Sequence, residues 1–292
     1  MRLADLHPRR FFLETWRAID AEAAEERSKA GAGRDGGIAA YIFVIVAVSL
    51  TLQHPDYLGG AEAFFRLLAF IDCPRAPLES PHLHALVGWL RPEGGGSLYL
   101  HLHRGGWLEL WNLGYWALWR VFGFFVLPLI AIAVHPRLRL REMGFSVAGF
   151  GRHIRLYVVL TVPVLAAVVV VSHTESYSTY YPFYTQAHRS LFDFAVWEAL
   201  YIAQFFSLEF FFRGFMLQPL RRCMGSGAIF AMMLPYVMIH FGKPMTECFA
   251  AIIAGVVLGT LAMRTRSIWA GFLIHVTVAL AMDLAAIWQT HW

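Results

Sequence analysis

The chain has 292 residues, enough for one large domain or two small ones. Apolar residues make up 58% and charged residues only 15%, so there are too few polar side chains to cover a globule in water, which excludes an ordinary soluble domain. The net charge of +4 requires no nucleic-acid partner, because the cytoplasmic loops of membrane proteins are basic. Three scattered cysteines, Cys73, Cys223 and Cys248, provide neither a disulfide framework nor a zinc cluster.

The N-terminal segment, residues 1–37, is polar and has an amphipathic pattern around "FFLETWRAIDAEAAEERSKA". It lacks the short basic and then apolar start of a cleaved signal peptide. We therefore predict that this segment is cytoplasmic and that the first apolar span remains as an uncleaved anchor.

Seven apolar blocks follow, each close to the roughly 20 helical residues that cross a bilayer. They cover residues 38–52, 113–134, 154–171, 191–220, 228–242, 248–263 and 268–288. The sequence predicts an all-α, polytopic transmembrane helical bundle of about seven spans. We divide it into an N-terminal membrane region, 38–190, and a core, 191–292. The sixth block contains "GVVLG" at 255–259, a pattern typical of close helix packing in membranes.

Basic residues predict the orientation of these spans. Arginine-rich clusters precede the first block and follow the second, fourth and sixth, and the rule that positive loops stay inside places all of them on the cytoplasmic side. The N-terminus is then cytoplasmic and Trp292 lies outside. We expect a multi-pass protein of a bacterial inner membrane, in contact with membrane lipids. Arg120, inside the second block, is expected to face protein or to extend towards the interface.

Residues 53–106 form the predicted extracytoplasmic loop. It contains "AEAFFRLLAFID", which reads as a short interfacial helix. It also contains two His-x-His pairs, at His82 and His84 and at His101 and His103. Such pairs are weak evidence for a metal site, and solvated loop histidines explain them better.

Charged residues interrupt the fourth block. Glu209 and Arg213 are one helical turn apart and share one face, so each lowers the other's insertion cost of roughly 2.5–3.5 kcal/mol. An ion pair that only holds the bundle together and a functional site both remain open for this pair alone. Glu198, three turns earlier on the same face, either lines a path to the site or, as we prefer, lies near the outer interface.

Two histidines in later blocks favour a site. His240 and His275 come from the fifth and seventh blocks, and both lie at the level of Glu209, at a depth of roughly 12–20 Å from the cytoplasmic face. Three titratable groups from three helices at one depth indicate a functional cluster. We predict one polar cavity in which these side chains approach within about 8 Å of each other.

The chemistry of this trio is limited. A carboxylate and a neutral imidazole can deprotonate a water, while a second imidazole hydrogen-bonds a developing oxyanion. The same three side chains, Glu209, His240 and His275, can instead ligate a zinc ion that keeps open positions for water. Either arrangement hydrolyses an amide bond.

At these residues the sequence resembles the CAAX prenyl protease and bacteriocin-processing family of intramembrane endopeptidases. The family motifs are Glu-Glu-x-x-x-Arg, Phe-x-x-x-His and His-x-x-x-Asn. The matching positions are Glu209, Arg213 and Gly214 for the first motif, Tyr236 and His240 for the second, and His275 for the third. The resemblance implies cleavage of a membrane-anchored or hydrophobic C-terminal protein segment, as in CAAX-type or protein-sorting maturation. It assigns water activation to His240 and oxyanion support to His275.

Two positions depart from the family motifs. Leu208 replaces the first glutamate, which the family uses with the second-motif histidine to activate water, and Ala279 replaces the third-motif asparagine. Either Glu209 takes over as base or the activity is lost. We favour an enzyme, because the costly charged groups persist. The alternatives are a non-catalytic relative that binds a hydrophobic peptide or partner protein, and a proton-relay transporter, for which no repeat of broken helices is present.

Overall fold

The computed structural model describes residues 7–30, 35–72, 97–147, 151 and 154–291. Within these residues the chain is all-helical and contains no β-strand. The helices are α1 (Thr15–Ala30), α2 (Asp35–Leu52), α3 (Ala61–Asp72), α4 (Leu98–Arg104), α5 (Leu108–Val134), α6 (Ile154–Val171), α7 (Glu175–Ser178), α8 (Leu191–Met224), α9 (Gly227–Met238), α10 (Met245–Thr265) and α11 (Trp269–His291).

Six of these helices are long and apolar enough to cross a membrane, namely α2, α5, α6, α8, α10 and α11. The protein is therefore an integral multi-pass membrane protein. The expected fifth span, 228–242, is shorter than the sequence indicated, because α9 ends at Met238 and is about 18 Å long at the α-helical rise. Its length falls short of the roughly 30 Å hydrocarbon layer. The chain turns through 239–244, where Gly242 adopts a φ of +92°.

The central helix, α8, is 34 residues long and contains a π-helical turn at Phe210–Met216. All seven residues of this turn are buried. Aromatic rings pack the turn against a second π-helical turn, in the middle of α5, where the Phe124 and Phe211 ring centroids are 4.8 Å apart. Single π-helical turns inside α-helices are frequent at functional sites, because the extra residue redirects the neighbouring side chains.

Gly214 lies where the π-helical turn of α8 meets the connection between α5 and α6. A Cβ atom at this position would lie 2.6 Å from the carbonyl oxygen of Met143. The next residue, Gly144, accepts a hydrogen bond from the Ile268 amide at 2.9 Å. The α5–α6 connection therefore ties the turn of α8 to the start of α11.

Close packing of α9 on α10 depends on the predicted glycine pair. A Cβ on Gly255 would lie 2.8 Å from the side chain of Met233, and one on Gly259 would lie 3.0 Å from Met232. The structural interpretation of "GVVLG" is confirmed, since the absence of these side chains lets the two helix backbones approach.

The N-terminal helix α1 packs on the ends of α8 and α10. The indole nitrogen of Trp16 donates to the Thr260 hydroxyl at 3.0 Å. The carboxylates of Glu26 and Glu22 pair with Arg221 and Arg266 at 2.9 and 2.7 Å. The predicted segment 1–37 thus contacts the predicted core 191–292, while both boundaries remain predictions.

The predicted loop 53–106 is partly helical. The proposed interfacial helix is α3, and α4 carries His101 and His103 on an exposed surface. The Ser97 hydroxyl donates to Asp72 at 2.5 Å and so joins the two helices. His82, His84 and Cys73 lie outside the described residues.

Arg120, in α5, faces protein, which is one of the two positions expected from the sequence. Its guanidinium carbon is 5.6 Å from the ring centroids of Trp116 and Phe124.

Candidate active site

An ion pair between Glu209 and Arg213 lies at the start of the π-helical turn of α8. The Arg213 Nη1 is 3.1 Å from the Glu209 Oε1, and both side chains are completely buried. Burial of one charge without the other would be strongly unfavourable, so each residue requires its partner.

His275, from α11, contacts the same carboxylate. Its Nδ1 is 2.7 Å from the Glu209 Oε1. The carboxylate approaches α11 this closely because residue 271 is glycine: a Cβ there would lie 2.1 Å from the Glu209 Oε2. The sequence did not single out Gly271, although a glycine one helical turn before a site histidine is a usable signal.

Tyr236, from α9, completes the cluster. Its hydroxyl lies 2.9 Å from the His275 Nε2, and its ring centroid lies 4.1 Å from the guanidinium carbon of Arg213. The tyrosine therefore contacts both ends of the Arg213–Glu209–His275 chain. A phenylalanine, which the resembled Phe-x-x-x-His motif has at this position, has no hydroxyl and could not make the histidine contact.

His240 joins the cluster through Tyr236. Its ring centroid is 4.9 Å from that of Tyr236, and its Nδ1 is 2.8 Å from the Tyr236 carbonyl oxygen. Because a carbonyl oxygen only accepts, Nδ1 carries the proton in this contact and Nε2 carries the lone pair of the neutral ring. The structure thus connects His240 to Glu209 by way of Tyr236 and His275.

Aromatic rings enclose the polar cluster. Phe205 stacks on His275 at a centroid distance of 5.6 Å, and Phe212 meets Tyr236 edge to face at 5.4 Å. These rings limit water around the charges and therefore strengthen the electrostatic interactions inside.

The donor set does not fit the zinc ion considered from the sequence. Across the described part of the chain, no three His, Cys, Asp or Glu side chains are grouped so that they could hold a metal. Both ring nitrogens of His275 face protein partners, and the cation of Arg213 lies beside Glu209. We derive no catalytic step through a metal.

The two positions that depart from the family motifs are filled by buried apolar side chains. Leu208 belongs to the central hydrophobic core, next to the π-helical turn. Ala279 packs in a second cluster with Trp197 and Tyr201. Both positions therefore contribute to packing in this chain.

A pair of neighbouring acidic groups lies between the same two helices, α8 and α11. Glu198 and Asp283 are both buried and interact electrostatically, and the Trp197 indole donates to the Asp283 Oδ2 at 2.8 Å. The sequence reasoning missed Asp283. Its signal was an ionisable residue in an apolar block, two helical turns after His275. The preferred outer-interface position of Glu198 remains a prediction, whereas its partner is a new finding.

The segment between α7 and α8 lies over the turn that follows His240. The Tyr181 hydroxyl donates to the Glu247 Oε2 at 3.0 Å, and the Lys243 ammonium pairs with the same oxygen at 3.2 Å. Lys243 also faces the ring of Phe183, 5.4 Å from its centroid. These contacts fix the 239–247 turn relative to α8.

Comparison with known proteins identifies the segment that carries the cluster. Residues 190–281 match the family model described as type II CAAX prenyl endopeptidase, Rce1-like. The matched range includes Glu209, Arg213, Tyr236, His240 and His275. No curated protein and no solved structure matches the chain significantly.

Proposed function

On the premise that residues 190–281 are an Rce1-like CAAX endopeptidase domain, we propose that the protein is an intramembrane endopeptidase. Its substrate is a protein with a hydrophobic or membrane-anchored C-terminal segment, cut close to that segment. One observation carries the proposal: a buried chain of contacts runs from Arg213 through Glu209 and His275 to Tyr236, with His240 against Tyr236.

Within this proposal Glu209 is a positioning residue. Its carboxylate is completely buried between Arg213, His275 and the backbone of Gly271, so it offers no face to a water molecule. Glu209 instead lies 2.7 Å from the Nδ1 of His275 and holds that ring in place through this contact. This assignment replaces the sequence-based option in which Glu209 itself acts as the base.

His240 then acts as the general base. The lone pair on its Nε2 takes a proton from water while the water oxygen bonds to the peptide carbonyl carbon. The Tyr236 hydroxyl, which lies 2.9 Å from the His275 Nε2, turns its single O–H from that nitrogen to the developing oxyanion. Collapse of the tetrahedral intermediate breaks the C–N bond, and the leaving amine takes the proton back from His240.

The surroundings of His240 support an apolar substrate. Large hydrophobic side chains near the turn after α9 are strongly exposed, including Met238, Phe241 and Met245 at 55%, 68% and 72%. An exposed apolar patch beside a polar cluster is typical of a surface that receives an apolar segment, either lipid or peptide. An anchored substrate would reach His240 from this side of α9.

A non-catalytic relative is the second candidate function. The buried apolar side chains at positions 208 and 279 favour it, because both replace family polar groups with packing residues. Such a protein would bind the hydrophobic segment of a partner without cutting it.

The test compares processed membrane proteins in cells of the native host. Cells lacking the gene are complemented with the native protein, His240→Gln, Glu209→Gln or the exposed-histidine control His103→Gln, and the C-termini of membrane-anchored proteins are mapped by mass spectrometry. We expect uncut precursors with the two site variants and native processing with the control.

Native processing by a folded His240→Gln variant would refute the hydrolytic role of the cluster. If the gene deletion leaves all precursors unchanged, and Leu208→Glu creates cleavage that the native protein lacks, the non-catalytic function is correct.

A further inference from the structure

A cavity of about 180 Å³ lies where the ends of α8 and α10 meet the α5–α6 connection. Four arginines line it: Arg141, Arg221, Arg222 and Arg266. Its remaining wall is largely apolar and includes Ile38, Leu138 and Pro219. We call this space the arginine cavity. It is separate from the Glu209 cluster.

Acidic side chains neutralise only three of the four arginines. Glu142 pairs with Arg222 at 2.6 Å. Glu26 and Glu22 of α1 pair with Arg221 and Arg266 as described above. Arg141 forms no ion pair or hydrogen bond with any residue that the structure describes. The cavity therefore has one cationic side chain in excess.

The most buried of these arginines has unused donors. The Arg221 side chain is only 3% exposed, yet its Nε and Nη1 have no hydrogen-bond partner among the described residues, since the Glu22 carboxylate is 3.7 Å from Nη1, beyond hydrogen-bonding distance. A buried guanidinium with unpaired N–H groups is unfavourable, so an anion or water in the cavity would stabilise it. Arg141 also lines the cavity, and its exposed guanidinium provides a second set of N–H donors for an anion.

The position of the cavity indicates which class of anion it would bind. Ile38 lies at the start of the apolar part of α2, and Arg221, Arg222 and Arg266 lie at the ends of α8 and α10. These positions mark the boundary between apolar spans and polar connections, where lipid phosphate groups lie. The planar guanidinium fork matches phosphate oxygens, and the volume is several times the roughly 30 Å³ of one water.

We propose that the arginine cavity binds the phosphate group of an anionic membrane lipid. The phosphate accepts from Arg141 and Arg221, while the acyl chains lie along the apolar side of the cavity. Gln218 also lines the cavity, and its side-chain nitrogen lies 3.2 Å from the Arg213 carbonyl and 3.3 Å from that of Ala262. A bound lipid would therefore stabilise the π-helical turn of α8 as well as the pocket.

The test uses the full-length protein purified in a neutral detergent. Binding is measured by native mass spectrometry and by the shift in thermal unfolding temperature. Three probes are titrated: dioctanoyl phosphatidic acid, dioctanoyl phosphatidylcholine and inorganic phosphate. The variant is Arg141→Gln, which leaves all the glutamate pairs intact. Its matched control is Arg139→Gln, an exposed arginine two residues away that does not line the cavity.

We expect phosphatidic acid to bind and to raise the unfolding temperature. Arg141→Gln should lower its affinity about tenfold or more, since one charge-assisted contact is lost. Arg139→Gln should leave the affinity unchanged. Stronger binding of phosphatidic acid than of inorganic phosphate identifies a lipid, whereas equal binding identifies a free phosphate and overturns the lipid assignment. Equal effects of both variants, or no binding of any anionic probe, would overturn the site. Arg221→Lys, which keeps a charge for Glu26, provides an independent variant with the same expected loss.

Discussion

Replacement of Gly271 by alanine tests the buried carboxylate most directly. The new Cβ would lie 2.1 Å from the Glu209 Oε2, whereas ordinary contacts begin at 3.4 Å, so the carboxylate must move by about 1.3 Å. A movement of that size away from α11 lengthens the 2.7 Å contact with His275 to about 4 Å, beyond hydrogen-bonding distance. Overpacking costs roughly 1–3 kcal/mol, partly offset by up to about 1 kcal/mol from the higher helix propensity of alanine.

A short contact between a ring nitrogen and a buried carboxylate contributes about 1.5–3 kcal/mol, so its loss should lower processing of the native substrate roughly 10- to 100-fold. The assay is C-terminal mapping of membrane proteins, together with thermal unfolding in detergent. Gly114→Ala is the matched control, because its Cβ would meet Leu200 at an ordinary 3.7 Å on another helix packed against α8. If Gly271→Ala behaves like Gly114→Ala in both measurements, the close approach of Glu209 to α11 is not required.

Three further changes probe the rest of the bundle. Tyr236→Phe keeps the ring over Arg213 but removes the hydroxyl next to His275, so we expect processing to fall about tenfold or more while the unfolding free energy changes by less than about 1.5 kcal/mol. Asp283→Ala leaves the buried Trp197 indole without its acceptor and should destabilise by about 1–3 kcal/mol, whereas Asp283→Asn, which keeps a carbonyl oxygen, should be milder; equal unfolding temperatures of the two variants would contradict this role of Asp283. Reporter fusions placed after Arg141, Arg222 and Arg266 should all give a cytoplasmic signal. A signal from the opposite side at any one of these positions would refute the predicted orientation.

Apolar composition and block length determine most of the membrane topology, because a long apolar helix has few alternatives to a bilayer. Six of the seven predicted spans are long apolar helices in the structure. The block at 228–242 extends beyond its helix, because hydropathy does not indicate where a helix ends. Its helix stops at Met238, and the following turn brings His240 beside Tyr236 rather than extending the span.

The ion pair of Glu209 and Arg213 could be predicted because the two residues are one turn apart on a single helix. Their link to His275 was predicted only as proximity, from similar depth on different helices. The contacts of Tyr236 and Gly271 with this cluster could not be predicted from the sequence, since a hydroxyl contact and a missing Cβ depend on how α8, α9 and α11 pack. The proximity of Glu198 to Asp283 was missed for the same reason.

The sequence by itself determined the membrane-embedded helical class, the positions of the long spans and the residues that carry charge inside them, because these properties follow from local hydropathy and helical spacing. The tertiary structure decided which side chains lie in contact. It buried Glu209 against Arg213, His275 and the backbone of Gly271, and placed His240 against Tyr236. The reason is physical: contacts between helices depend on distances of a few tenths of an ångström, which are set by packing across the bundle and not by spacing along the chain.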